Sequence, residues 1–159
     1  MYKKLFFIIA LPFVMFSCNK KSSSDNCNNT GVTSAAEIAT IQQYLTANSI
    51  TATQDPAGFF YQIIAPGSGV TPTLSSQVSV TYTGKFVNGT VFDSNVSKPV
   101  ITFPLSGVIR GWQLGVPLIK KGGKINLYLP PTLGYGCYDS NGIPGNSTLI
   151  FSIELVNVQ

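Results

Sequence analysis

Apolar and polar residues alternate along much of the chain after residue 57. Residues 78–86 read VSVTYTGKF, with Val78, Val80 and Tyr82 at every second position and hydroxyl side chains between them. A period of two places such residues on one face of a strand, which indicates a half-buried antiparallel sheet. Further strand-like runs are GFFYQII (58–64), VITFPL (100–105), KINLYLP (124–130) and TLIFSIELV (148–156). We therefore predict about five antiparallel strands.

A tight hairpin is indicated after the first alternating run. The dipeptide Asn88-Gly89 lies between two β-prone dipeptides, Phe-Val and Thr-Val. Asn-Gly is typical of a type I′ turn, in which both central residues have positive φ. The sequence predicts such a turn here.

A helix is predicted before the strands begin. Ser34 and Glu37 have the spacing of a capping box, and Ile38, Ile41 and Leu45 recur on one face. A helix of about fourteen residues is too short to be stable alone, so its apolar face must pack against something. We favour packing on the chain's own domain, with dimerisation through this face as the alternative.

A second, short helix is predicted over residues 111–118, within RGWQLGVPLI. A sheet with an apolar face needs a cover, and this helix is the only internal candidate. The predicted fold is therefore α+β, an antiparallel sheet packed on one short helix and preceded by an N-terminal helix.

The start of the chain has the pattern of an export signal. Lys3 and Lys4 precede an apolar run over residues 5–16, which is too short to span a membrane. With Ser17-Cys18 at its end, the segment resembles a bacterial lipoprotein signal, in which the cysteine is acylated, as with palmitate, and becomes the new N-terminus. Cys18 is the expected lipidation site. An ordinary secretory signal and an uncut membrane anchor are the alternatives.

Four parts are predicted along the chain. They are a signal peptide (1–17), a flexible tether (18–33), the N-terminal helix with a linker (34–57) and the main domain (58–159). The tether is polar and without periodicity. Cys27 lies in the tether and Cys137 in the main domain, and we expect two unpaired thiols, although an exported setting permits a disulfide.

Composition narrows the possible chemistry. The 159 residues include no histidine, so nucleophilic triads and most zinc or iron sites lose their commonest participant. Removal of Lys3 and Lys4 with a signal leaves eight basic residues against six acidic ones, a net charge of +2. That excess is too weak to indicate nucleic acid. The sequence has no metal-spaced cluster and no Gly-rich phosphate loop, so we predict no metal and no cofactor.

Four stretches, in order, resemble the FKBP-type peptidyl-prolyl cis-trans isomerase domain, in a bacterial lipoprotein form. They are VTYTGKFVNGTVFDSN (80–95), VIRGWQLGV (108–116), INLYLPPTLGYG (125–136) and IPGNSTLIFSIELV (143–156). The resemblance covers roughly residues 58–159. It implies a highly twisted antiparallel sheet wrapped around one short helix, with a hydrophobic pocket between helix and sheet.

The resemblance also implies which residues form that pocket. The expected substrate-binding residues are Tyr82, Phe92, Ile101, Phe103, Val108, Ile109, Trp112, Tyr135, Ile143 and Phe151. The family's geometry implies that the Ile109 N–H and the Tyr135 hydroxyl bind carbonyls of the peptide and that Asp93 lies beside the rotating carbonyl. With Phe92, which helps to hold the proline ring, these are the expected catalytic residues. The apolar members would be core residues in any β domain, and this alternative stays open.

One pair of these residues demands an irregular strand. Phe92 and Asp93 are neighbours, and consecutive side chains of a regular strand point to opposite faces. Both can line one pocket only if the strand ends or bulges, and Gly84 on the facing strand is the expected place. The arginine that often pairs with this aspartate in the family is absent. Lys98 is the cation that could replace it.

These observations favour an enzyme, a lipid-anchored isomerase that assists protein folding in a bacterial cell envelope. A low-turnover peptide-binding chaperone or interaction module on the same fold is the main alternative, and a structural lipoprotein is a third. The expected partners are unfolded or Pro-containing polypeptides, macrolide-type pocket inhibitors and, through Cys18, a membrane. We expect a monomer that binds no nucleic acid.

Overall fold

The computed structural model describes residues 31–159. The predictions for the signal, for most of the tether, and for Cys18 and Cys27 concern residues outside that range. Within it, no helix has both the length and the apolar character that crossing a membrane requires.

One antiparallel sheet forms the frame of the described chain. The elements are α1 (Ala35–Ala47), β1 (Thr53–Gln54), β2 (Phe60–Ala65), β3 (Gln77–Phe86), β4 (Val91–Ser94), β5 (Ile101–Pro104), α2 (Arg110–Gly115), β6 (Lys124–Leu129) and β7 (Leu149–Val158). The strand order is β1-β2-β6-β7-β3-β4, and β5 also pairs with β3. The α+β fold is thus confirmed.

The sheet has seven strands where about five were expected. One additional strand is β4, which forms the second half of the hairpin after β3. The other is β1, whose two residues are exposed at the edge of the sheet beside β2. A two-residue edge strand buries no side chain, so hydrophobic patterning carries no signal for it.

The inner face of the sheet packs against α2. Trp112 and Val116 join a core that includes Leu127, Leu129 and Phe151. The glycines of α2 permit the close approach to β6. A Cβ at Gly111 would lie 2.5 Å from Leu129, and one at Gly115 would lie 2.6 Å from Leu127.

The outer face of the sheet is covered at one end by α1. Ile41 and Leu45 pack with Phe60, Tyr128 and Ile150, the residues that alternate along their strands with those of the inner core. The expected packing of this helix on its own domain is confirmed, and so is its capping box.

The hairpin between β3 and β4 differs from the expected type I′ turn. Gly89 has a φ of +87°, but Asn88 does not have a positive φ. The Phe86 carbonyl accepts from the Gly89 N–H at 2.9 Å, and the Phe86 N–H donates to the Thr90 carbonyl at 2.9 Å. The loop therefore consists of three residues, 87–89, and ends in a glycine with a left-handed backbone conformation. Such three-residue loops are also common connections between twisted antiparallel strands.

Cys137 is disulfide-bonded, which corrects the expectation of an unpaired thiol. The other two cysteines of the chain lie outside the described residues. The expectation rested on the lack of any sequence feature that would bring two cysteines together, and a disulfide leaves no mark on hydrophobic patterning.

The packing of α1 gives a first prediction. Ile41 is fully buried on the face of α1 that packs against the sheet, so Ile41→Ala should lower the free energy of unfolding by about 2 to 5 kcal/mol. The neighbouring exposed residue provides a control, because Gln42→Ala should change it by less than about 0.5 kcal/mol. Urea unfolding of both variants measures this. Equal small losses would contradict the docking of α1.

Candidate functional site

A cleft of about 270 Å³ opens between the inner face of the sheet and α2. It is lined by Tyr82, Phe92, Asp93, Phe103, Gly107, Val108, Ile109, Trp112, Tyr135 and Phe151. The structure thus brings together most of the expected pocket residues and adds Gly107. Two lie outside this lining: Ile101 is 38% exposed on β5, and Ile143 is buried in the core.

Aromatic rings form the floor and walls of the cleft. The Trp112 ring lies edge-on to Phe151 at 5.2 Å and to Tyr82 at 5.2 Å, with interplanar angles of 90° and 84°. Phe92 is edge-on to Phe151 at 5.6 Å. Within residues 31–159, the buried indole Nε1 of Trp112 has no hydrogen-bond partner. Its ring, edge-on to both neighbours, is the flat surface that lines the cleft.

A bulge in β4 turns two consecutive side chains into the cleft. Gly84 pairs with Asp93 and Lys85 pairs with Val91, so Phe92 is the extra residue between them. A Cβ on Gly84 would lie 2.6 Å from the Phe92 ring. Glycine on the facing strand therefore makes room for the ring. The expected irregularity and its location are both confirmed.

The carboxylate of Asp93 is oriented by a tyrosine. The Tyr82 hydroxyl donates a short hydrogen bond to Asp93 Oδ2. Lys98 does not take the place of the absent arginine, since across the described residues the single ion pair joins Lys124 and Glu154. The family resemblance places Tyr82 in the pocket wall, but nothing in the sequence indicates this hydrogen bond to Asp93.

The two tyrosines of the cleft have raised pKa values. For Tyr82, burial is the main cause, followed by the hydrogen bond to Asp93 and its charge. For Tyr135, burial again comes first, and the charge of Asp93 adds to it. Both hydroxyls therefore stay protonated at neutral pH and remain hydrogen-bond donors.

Two donors at the cleft are free to bind a ligand. Among the hydrogen bonds of residues 31–159, none has the Tyr135 hydroxyl or the Ile109 N–H as its donor. Ile109 precedes the first turn of α2, and its carbonyl accepts from the Trp112 and Gln113 N–H groups. The cleft thus combines apolar walls with a phenol, a backbone N–H and a carboxylate.

Two supporting residues were missed by sequence analysis. The buried amide of Asn95 accepts from the Tyr82 N–H at 2.7 Å and donates to the Val80 carbonyl at 3.0 Å. The amide of Gln113 donates to the Val108 carbonyl at 2.8 Å, which braces the chain just before Ile109. An amide side chain can donate and accept at once, but only the folded chain shows which backbone groups need it.

Comparison with known proteins agrees with this geometry. Residues 69–156 match the family described as FKBP-type peptidyl-prolyl cis-trans isomerase. The chain is 45% identical over 103 residues to the isomerase FkpA of Escherichia coli K12, covering 64% of this chain and 38% of the relative. It is 41% identical over 104 residues to the isomerase Mip of Coxiella burnetii, covering 64% and 45%. The chain therefore spans less than half the length of these curated relatives.

Solved structures show the same fold. The crystal structure of FkpA from Escherichia coli superposes with a TM-score of 0.71 and 38% identity, covering 79% of this chain and 60% of that chain. The crystal structure of AtFKBP13 gives a TM-score of 0.63 and 31% identity, covering 69% and 99%. Because the matched residues include every one that lines the cleft, together with α2 and strands β3 to β6, the chain belongs to the FKBP-type peptidyl-prolyl cis-trans isomerase family.

Proposed function

We propose that this protein catalyses cis-trans isomerisation of Xaa-Pro bonds in exported polypeptides and so assists their folding. The observation that carries the proposal is the bulge in β4, which turns Phe92 and Asp93 into one aromatic cleft. An apolar ring and an oriented carboxylate then face the same bound group.

The reaction needs no bond to be broken. Rotation about the amide meets a barrier of about 18 to 20 kcal/mol because resonance is lost at the twisted geometry. An enzyme lowers this barrier by binding the twisted amide better than the planar one. A ten-thousandfold acceleration corresponds to about 5.4 kcal/mol of such differential binding.

The apolar part of the cleft supplies one share of this energy. A twisted amide has a less polar carbonyl than a planar amide, so a site with little water favours it. The proline ring would lie on Trp112, between Phe92 and Phe151, whose rings are mutually edge-on. This arrangement holds the ring while the preceding carbonyl rotates.

Directed polar contacts supply the rest. The Tyr135 hydroxyl and the Ile109 N–H would donate to backbone carbonyls of the bound peptide. Asp93, held by Tyr82, would lie beside the rotating carbonyl. Because these groups are already oriented, little reorganisation accompanies the twist.

We further propose that the protein acts in a bacterial cell envelope, held to a membrane by acyl chains on Cys18. The support is the signal pattern at residues 1–18, where a positive start and an apolar run end at Ser17-Cys18. A lipid anchor would place the cleft next to polypeptides that emerge from export. Macrolide-type inhibitors are candidate ligands of the same cleft.

Three substitutions in the cleft test the mechanism. Tyr135→Phe removes one hydrogen bond and should lower kcat/KM by about two- to tenfold. Asp93→Leu should lower it by about tenfold or more, because the charge near the carbonyl is lost. Phe92→Ala should be the most damaging, since water then enters the cleft. The measurement is kcat/KM on a short Xaa-Pro peptide, with urea unfolding to show that each variant folds.

Tyr138→Phe is the matched control, because this tyrosine is 70% exposed and lies outside the cleft. It should leave kcat/KM unchanged. A wild-type protein that binds the peptide without turnover would identify a binding module. If Tyr135→Phe is the most damaging variant, directed hydrogen bonding outweighs exclusion of water.

The raised tyrosine pKa values predict the alkaline side of the pH profile. Deprotonation of Tyr82 or Tyr135 removes a donor only above the ordinary tyrosine pKa, so kcat/KM should stay level from pH 7 to about pH 10. The same shifts should make stability fall as the pH rises beyond about 10, since the unfolded tyrosines ionise first. Initial rates across this range, with circular dichroism at each pH, measure both effects. A decline centred well below pH 9 would contradict the assignment.

The anchor is tested separately. Cys18→Ala should release the protein from the membrane fraction or leave the precursor uncut, whereas Cys27→Ala should remain anchored. Membrane fractionation and mass spectrometry of the mature N-terminus measure this. A mature N-terminus without acyl chains at Cys18 would contradict lipid anchoring.

A further inference from the structure

The carboxylate of Glu37 binds two separate parts of the chain. Its Oε2 accepts from the Ser34 N–H at 2.8 Å and from the Ser34 hydroxyl at 2.9 Å, within the capping box of α1. Its Oε1 accepts from the Thr132 N–H at 3.0 Å and from the Thr132 hydroxyl at 2.5 Å. One side chain therefore closes the first turn of α1 and holds the segment that follows β6.

The bonds to this carboxylate are of the charge-assisted kind. Burial alone would raise the pKa of Glu37, but the hydrogen bonds from Thr132 and Ser34 outweigh it and lower the pKa below its ordinary value. Bonds to an ionised carboxylate are shorter and stronger than bonds between neutral groups. The contact with Thr132 is thus a firm anchor.

The anchored segment, residues 130–136, carries Tyr135. Its internal support is a turn in which the Gly134 and Gly136 N–H groups donate to the Pro131 carbonyl at 2.9 and 2.8 Å. Glycines flank the tyrosine on both sides, and Gly136 has a φ of +76°. Leu133 is buried in the core, and the Gly136 carbonyl accepts from the Asn146 N–H at 2.9 Å. In the described part of the chain, Glu37 is the only side chain that hydrogen-bonds this segment. Its bonds to Thr132 therefore tie the segment to α1 at a point three residues before Tyr135.

The other end of the anchor is fixed to the sheet. Ile41 of α1 is fully buried against the outer face of the sheet, in a cluster with Tyr128 and Ile150. The Thr33 hydroxyl, just before the helix, donates to the Ala57 carbonyl at 2.7 Å. Glu37 thus joins a helix that is docked on the sheet to the segment that carries Tyr135.

We propose that Glu37 is a positioning residue that keeps the Tyr135 hydroxyl aimed into the cleft, where it donates to a carbonyl of the bound peptide. The inference rests on the proposed function and extends it beyond the matched family region, because α1 lies outside residues 69–156. A helix that only covered the outer face would have no effect on peptide binding beyond its effect on stability.

A double-mutant cycle tests whether Glu37 acts through Tyr135. Glu37→Ala should lower kcat/KM on an Xaa-Pro peptide by about two- to fivefold, and by no more than Tyr135→Phe does. In the Tyr135→Phe background, Glu37→Ala should lower kcat/KM by less than about twofold, since the group it positions is gone. The same four variants are also compared by the Kd of the peptide. The Kd is determined from the fluorescence of Trp112, the single tryptophan of the chain.

Ser34→Ala is the matched control for helix stability. It removes both bonds of the Ser34 hydroxyl, the one donated to Glu37 Oε2 and the one accepted from the Glu37 N–H. It leaves the Ser34 N–H and both bonds from Thr132 on the Glu37 carboxylate. It should lower the urea midpoint much as Glu37→Ala does but keep kcat/KM within about twofold. Thr132→Val removes one of the two donors and should give a partial loss of kcat/KM. If Glu37→Ala does not fold, Thr132→Val takes its place in the double-mutant cycle.

The outcomes separate this proposal from the proposed function. Equal losses from Glu37→Ala in both backgrounds, or equal losses from Glu37→Ala and Ser34→Ala, would overturn positioning while isomerase activity stands. If the wild-type protein binds the peptide without turnover, the proposed activity fails, and additivity in Kd would still overturn positioning. If it neither binds nor isomerises the peptide, both proposals fail.

Discussion

The structure depends on how β3 is paired along one of its edges. One edge pairs with β7 over the whole strand, whereas the other pairs with β5 from Gln77 to Val80 and with β4 from Thr83 to Lys85. Between these two partners the backbone of β3 has no strand beside it, and an unpaired buried peptide group costs about 1 to 3 kcal/mol. The side chain of Asn95 fills this gap by bonding the Tyr82 N–H and the Val80 carbonyl. Because β4 and β5 separate here, Asp93 from one and Phe103 from the other can border the same cleft.

The same gap explains how a carboxylate is accommodated among aromatic rings. Asp93 is an exposed residue at the border of the cleft, and its carboxylate accepts from a phenol that projects from the gap in β3. The Tyr82 ring is held edge-on by Trp112, so the floor of the cleft, the phenol and the carboxylate form one connected set. A phenol fixes the orientation of Asp93 with one hydrogen bond but brings no positive charge. The cleft is therefore preorganised by packing, with the carboxylate at its exposed border.

Sequence patterns predicted much of this arrangement for identifiable physical reasons. The period of two in β3 and the capping box of α1 are local signals, and both elements formed as predicted. The bulge followed from a conflict, because Phe92 and Asp93 could not share a face of a regular strand, and the register shift lies at the predicted place. The misses concern features that local patterns do not encode: β1 exists because β2 has a free edge, Asn95 matters because two strands diverge, and Cys137 is in a disulfide. The three-residue hairpin loop was missed for a different reason, since one Asn-Gly dipeptide serves more than one turn geometry.

The role of Glu37 shows how a local signal can also serve a distant contact. A capping box uses one carboxylate oxygen to bond the start of its own helix, which leaves the second oxygen free to accept from another part of the chain. In this protein the second oxygen binds Thr132, three residues before the tyrosine of the cleft. Helix stability and the shape of the cleft are consequently linked through one ionised group. The helix covers the outer face of the sheet, whereas the cleft opens on the inner face. The hydrogen bonds between Glu37 and Thr132 connect the helix on one face to the segment that carries Tyr135 on the other. The Glu37 side chain therefore both caps the start of α1 and holds the segment that carries Tyr135.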